Sequence, residues 1–165
     1  MKKQKHQIKY TNWQVSALVI VRVLIGWHFL YEGLVKVVNP NWSAASFLKA
    51  AQGPFADMFK SMASNDATLD LINFGNQWGL VLVGLSLIIG LLNRWACLGG
   101  MLLLLMYYIS NPPFIGLDVP TVAEGSYLIV NKNLIELFTL FVLFLFPTDN
   151  IIGLRRLLPL VKKTT

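Results

Sequence analysis

The chain has 165 residues, room for one domain, and 55% of them are hydrophobic. Only 13% are charged, about half the roughly 25% usual in soluble globular domains, and this is the composition of an integral membrane protein. The net charge of +6 comes from clusters at the two ends (Lys2, Lys3, Lys5 and Lys9, then Arg155, Arg156, Lys162 and Lys163), which flank apolar spans with no basic face between them and so exclude a nucleic-acid footprint.

Residues 1–12 are basic and are expected in the cytoplasm. No cleavable signal pattern follows, because the first apolar run is too long and lacks a small-residue cleavage site. Trp13 suits an interfacial anchor. The first span is expected over about residues 14–38, ended by Asn39-Pro40, since the residue before a proline avoids helical geometry. Within it His28, Glu32 and Lys36 step down one stripe at i,i+4 spacing, and Arg22 falls on the same side of the wheel. A charge at the centre of a spanning helix costs roughly 2.5–3.5 kcal/mol on insertion scales. That face is therefore expected to look into protein.

Residues 41–65 carry apolar side chains at helical spacing, interrupted by Gly53-Pro54. Two short amphipathic helices are expected there, packed as a lid on the ends of the spans. The second span is expected over about 67–92. Its unbroken apolar part, 80–92, is too short to cross alone, so Asn73, Asn76 and Gln77 must sit in its outer part. Asn73 and Gln77 share a face. Asn93-Arg94 is expected as a tight turn, with a third span over about 95–110 and a stop at Asn111-Pro112-Pro113. Cys97, the lone cysteine, excludes an internal disulfide and CxxC chemistry and reads as a small buried hydrophobe. The following loop holds Asp118, Pro120 and Glu124. The fourth span is expected over about 128–146 and contains Asn131, Lys132, Asn133 and Glu136. Residues 151–161 read as a short basic amphipathic tail on the membrane surface.

Most lysines and arginines lie at the two ends and at Arg94, whereas the other two connections hold Lys49, Lys60 and Lys132 among several carboxylates. The positive-inside rule puts both termini in the cytoplasm. The expected fold is all-α: a four-transmembrane-helix bundle with short amphipathic helices in the extracytoplasmic loop between the first two spans. In that topology Glu32, Lys36, Glu136, Asn73, Gln77 and Tyr107 lie in the outer half, with His28 near mid-membrane and Arg22 on its cytoplasmic side. The outer-half groups are expected to meet under the lid. A Glu136 facing lipid would exclude this. The plainer reading is structural: Glu32 pairs with Lys36 on its own helix, while Arg22 and Glu136 satisfy backbone carbonyls or each other. No zinc or haem constellation is present, because the only other histidine, His6, lies in the basic tail. No phosphate loop, nucleophile elbow or HExxH occurs either.

Two motifs carry a resemblance. The first helix reads Arg22-x-x-x-Gly26-x-x-Phe29-Leu30-x-x-Gly33-x-x-Lys36. The second reads Gly84-x-Ser86-x-Ile88-Ile89-Gly90-Leu91-Leu92-Asn93-Arg94-x-Ala96. Together they resemble the DoxX family of bacterial membrane proteins and its relatives, the DoxD-like small subunits of thiosulfate:quinone oxidoreductase. The resemblance implies a single four-helix domain over 1–165 in the bacterial inner membrane and an association with membrane redox chemistry. Where many members have a carboxylate about one turn before the first glycine of the second motif, this chain has Leu80, with Gln77 a turn earlier. Asn131, Asn133 and Glu136 would supply polarity instead.

Three functions follow as expectations. The first is a redox-associated subunit whose outer-half pocket binds a quinone, with no covalent cofactor. Glu32 and Glu136 would handle protons; Arg22, His28, Lys36, Asn73, Gln77 and Tyr107 would bind, and electrons would come from a partner protein. The second is a non-enzymatic scaffold or assembly partner for an extracytoplasmic protein. The third is a small transporter, against which four spans and the lack of an inverted repeat weigh. A homo-oligomer would supply the missing room.

Overall fold

The computed structural model describes residues 10–113 and 128–157. The basic residues Lys2, Lys3, Lys5, Lys9, Lys162 and Lys163, together with His6, Asp118, Pro120 and Glu124, lie outside the described residues. The rest is all-helical: α1 (Asn12–Val38), α2 (Ala45–Lys49), α3 (Ala56–Ala63), α4 (Asp66–Ile89), α5 (Asn93–Ser110) and α6 (Lys132–Leu145), then a 3-10 turn at Leu154–Leu157. Of these, α1 and α4 are long and apolar enough to cross a membrane.

Helix α1 starts two residues before the expected Gln14, because Thr11-x-x-Gln14 is a capping box. Thr11 Oγ1 accepts from the Gln14 amide, and Gln14 Oε1 accepts from the Thr11 amide. The helix lies antiparallel on α4 in a register set by small residues. Gly33 meets Val81, Leu30 meets Gly84, and Gly26 meets Leu87 and Ile88. A Cβ on Gly84 would press on the Leu30 amide nitrogen and come within 2.6 Å of the Gly26 carbonyl oxygen. The two backbones therefore touch. In lipid such close approach holds helices together by dispersion, because burial of apolar surface gives no net drive there.

The turn after α4 falls earlier than expected. Gly90 takes a left-handed conformation (φ 70°), and Leu92 another (φ 53°). The Gly90 and Leu91 amides both donate to the Ser86 carbonyl, closing α4 at Ile89. Asn93 and Arg94 thus open α5 instead of forming the turn. Asn93 is fully buried and donates to the Leu143 carbonyl of α6. The inward faces of α1, α4, α5 and α6 share one core, with Phe29, Leu80, Val83, Leu87, Cys97, Leu104, Leu140 and Leu143 at its centre.

Helix α6 begins at Lys132, four residues after the expected Leu128. Leu128 adopts a left-handed conformation, and the Asn131 side chain caps the helix by accepting from the Leu134 amide. At 1.5 Å per residue its 14 residues span about 21 Å.

The two short helices expected in residues 41–65 are α2 and α3, broken at Gly53-Pro54. They build a second core from Ala44, Leu48, Ala51, Phe59 and Ala63, packed on Leu69, Ile72 and Ile109 of α4 and α5. The Gln52 and Gly53 amides donate to the Ser110 carbonyl. The segment is therefore a lid seated on the helix ends. At the opposite end, residues 147–157 form turns and the 3-10 turn, and the rest of the expected amphipathic tail lies outside the described residues. The Arg155 amide donates to the Gly90 carbonyl, and Gly153 packs on Gly90.

Candidate functional site

The stripe of i,i+4 residues on α1 ends beneath the lid, and a cavity of about 470 Å³ opens there. That is within the roughly 300–1,000 Å³ typical of small-molecule pockets. Helix α1 supplies His28, Glu32 and Lys36, α5 supplies Tyr107, and α6 supplies Glu136. Phe29, Leu80 and Leu104 form an apolar floor, and Trp42 and Phe47 close the lid side.

The charged groups are paired across short distances. Lys36 Nζ donates to Glu32 Oε2 at 2.6 Å and to the Glu32 carbonyl at 3.2 Å, and sits 5.8 Å from the centre of the Trp42 ring. His28 Nε2 lies 3.4 Å from Glu136 Oε1, linking α1 to α6. The pairing has a physical motive. Two carboxylates and two ammonium groups (Lys132 also lines the cavity) offset one another where each alone would be costly.

Asn76 Nδ2 donates to the Tyr107 hydroxyl at 2.6 Å, and the Phe47 ring packs edge-on against Tyr107. Asn76 Oδ1 is buried with no protein partner among the described residues. A cavity-lining amide thus holds an acceptor in reserve. Tyr107→Phe removes the hydroxyl and leaves both ends of that amide unpaired. We expect a stability loss of about 0.6–2 kcal/mol, the range of interhelical hydrogen bonds in membranes, read as a lower thermal midpoint in detergent.

Of the residues singled out from the sequence, Glu32, Glu136, His28, Lys36 and Tyr107 line this one cavity. Asn73 and Gln77 do not. Asn73 Oδ1 accepts from the Ala44 amide, fixing the lid, and Gln77 Nε2 donates to the Lys36 carbonyl, tying α4 to the end of α1. Arg22 lies elsewhere. Ten residues before Glu32, it sits about 15 Å down the helix. There its guanidinium donates to Thr148 Oγ1 and to the Ile152 carbonyl, both at 2.8 Å. It fastens the segment after α6 and is no part of the pocket. The sequence placed Asn76 in the outer part of α4 and offered Asn133 as a source of polarity without assigning either to the pocket, and it missed the lid residues Trp42, Ser43, Ser46 and Phe47 as cavity lining. Lys132 carried a signal, since it precedes Glu136 by four residues on α6 and so shares its face. Asn76 carried only its depth, because its neighbours Asn73 and Gln77 made the more obvious pair.

Among the described residues no group of three His, Cys, Asp or Glu side chains is placed to hold a metal. The DoxX family model matches residues 17–110, more than half of the chain. The chain belongs to the DoxX family. The matched segment runs through α1 to α5, so the glycine-lined α1–α4 contact and most of the pocket are built from it. Helix α6 of this DoxX protein, with Glu136, lies outside the match. DoxX is a membrane family, which supports a lipid-bilayer environment for the chain, and α1 and α4 are the described helices long and apolar enough to cross one. No curated protein and no solved structure matches the chain.

Proposed function

We propose that this protein is a redox-associated DoxX subunit of the bacterial inner membrane, and that the cavity beneath its lid binds a quinone headgroup. In this reading the chain is one membrane domain, a bundle of four spans (α1, α4, α5 and α6). Both termini are cytoplasmic and the lid faces outward. The short α6 is accommodated by local thinning of the bilayer or by its packing on α5. The observation that carries the proposal is the meeting of Glu32, His28, Lys36, Tyr107 and Glu136, from three helices, around one apolar-floored cavity. Interhelical hydrogen bonds in membranes contribute only about 0.6–2 kcal/mol each. As pure glue, five such groups return little against the cost of inserting them.

When bound, a quinone supplies two-electron, two-proton redox chemistry, with electrons delivered by a protein partner. The chain's own residues would hold the headgroup and manage protons. Lys36 uses two of its three donors on Glu32, leaving one for a carbonyl oxygen. Tyr107 accepts from Asn76 and retains its own hydroxyl proton to donate. Glu136 beside His28 forms a two-membered proton store, with Glu32 paired to Lys36 next to it.

The test is binding of decylubiquinone to the protein in nanodiscs, followed by quenching of Trp42. Substitution of the other tryptophans isolates that signal. Saturable quenching is expected, weakened about tenfold or more, or about 1.4 kcal/mol, in Glu136→Gln and Tyr107→Phe. Unchanged binding in both variants would leave the pocket charges with a structural job and favour the scaffold reading.

A further inference from the structure

The pocket is closed on most sides by direct helix contact. Glycine backbones seal α1 against α4, Gly79 and Gly99 lie against Leu103 and Val83 between α4 and α5, and Gly100 receives Leu140 between α5 and α6. The packed floor seals it below, and Trp42 and Phe47 close it above. Among the described residues, the contact between α1 and α6 is the slightest of those that close the ring of α1, α4, α5 and α6. The polar groups of α1 that line the cavity are part-exposed, the Glu32 side chain 45% and the His28 side chain 32%, whereas Glu136 of α6 is only 12% exposed. On the helical wheel Leu24, Tyr31 and Val35 adjoin the His28–Glu32 stripe on its outward side. All three are more than half exposed. On α6, Ile135 and Thr139 adjoin Glu136 on the side away from Phe144, which faces α5 through Arg94.

A pocket with its polar groups inside and an apolar lip at membrane depth suits a molecule that is polar at one end and apolar along its length. We infer that the cavity opens sideways to lipid between α1 and α6. Its ligand reaches it from within the bilayer and leaves an apolar tail lying in that seam along Leu24, Tyr31, Val35, Ile135 and Thr139. This rests on the pocket binding a ligand as proposed above, and adds what that ligand must be: a membrane-dissolved amphiphile with a tail, not a water-soluble headgroup alone. The tail keeps the ligand in the bilayer, on the side from which the cavity opens.

Two tailed probes test it in proteoliposomes. One is decylubiquinone with a diazirine at the tail end. The other is a lysophosphatidylcholine carrying the same group on its single chain. After irradiation the labelled residues are mapped by peptide mass spectrometry, and binding of the decyl quinone is compared with that of the same ring bearing no tail. Label from the quinone probe is expected on α1 around Leu24–Val35 and on α6 around Ile135–Val142, with the tail-less ring bound at least about tenfold more weakly. Saturable label on Leu82 and Leu85 of α4 or on Leu98 and Leu102 of α5 instead, or equal binding of the tailed and tail-less rings, would overturn the seam. Seam labelling by the lysolipid alone would keep the opening and overturn the quinone reading. Saturable label from neither probe would overturn both.

Discussion

Arg22→Leu will destabilise the protein by about 3–5 kcal/mol, since two hydrogen bonds from a charged donor are lost, each worth roughly 1.5–3 kcal/mol. Arg22 is only 2% exposed although it lies within a long apolar helix. Its guanidinium is held by the Thr148 hydroxyl and the Ile152 carbonyl and packs against Gly90, whose missing side chain leaves the room. It also attracts Asp149, which is fully buried and pairs through Oδ2 with Arg155. Leucine would leave Thr148 and the Ile152 carbonyl without these bonds and Asp149 with one cation fewer. Arg22→Lys will recover part of the loss and no more, because a single ammonium cannot span two acceptors as the planar fork does. The measurement is the thermal midpoint in detergent, with limited proteolysis of residues 147–157. Cleavage there is expected at a lower temperature than elsewhere in the chain. Since Arg22 lies about 9 Å along the helix from His28, the pocket residue of α1 nearest to it in sequence, and does not line the pocket, decylubiquinone binding by the folded fraction should persist. A variant as stable as the parent would show that the fastening contributes nothing.

Gly84→Ala will be nearly as damaging. The new methyl would meet only main chain: the Leu30 nitrogen, the Gly26 oxygen at 2.6 Å and the Leu30 Cα at 2.7 Å. Side chains can rotate away, but two packed backbones must separate. Overpacking typically costs about 1–3 kcal/mol, and this position belongs at or above the top of that range. Because α1 and α4 also carry His28, Glu32, Asn76 and Leu80 of the pocket wall, binding should weaken along with stability. Gly75→Ala on the same helix is the control. Nothing lies within 4 Å of its added methyl, so it should be neutral or stabilising by up to about 1 kcal/mol, the helix-propensity difference between the two residues. Equal effects at both positions would mean that loss of glycine flexibility, and not the α1–α4 contact, governs the outcome.

Much of the architecture was readable before any coordinates. Apolar stretches broken at Asn39-Pro40, Gly53-Pro54 and Asn111-Pro112-Pro113 marked out the helices. The i,i+4 spacing of His28, Glu32 and Lys36 marked the stripe that lines the cavity, although the face of α1 buried in the protein is that of Arg22, Gly26, Phe29 and Gly33, and two glycine-centred motifs marked the family. The departures from expectation have local causes. Polar Asn93-Arg94 suggests the α4–α5 turn, but Gly90 can enter the left-handed region at no steric cost and Asn93 has a buried carbonyl to reach. Leu128, Ile129 and Val130 suggest an earlier start for α6 because they are apolar. Apolarity alone does not show that Asn131 caps the helix behind them.

The sequence by itself determined which residues are expensive in lipid and which side of each helix they occupy, because both follow from composition and a 100° step per residue. Only the tertiary structure decided which neighbour each of those sides meets. Glycines at 26, 33 and 84 set the α1–α4 register, and that register delivers Arg22 to Thr148 and Ile152 while leaving Glu32 and His28 facing Glu136. Helical periodicity gives a direction around an axis, whereas a site needs two axes at a known offset, and that offset is settled by packing between segments far apart in the chain.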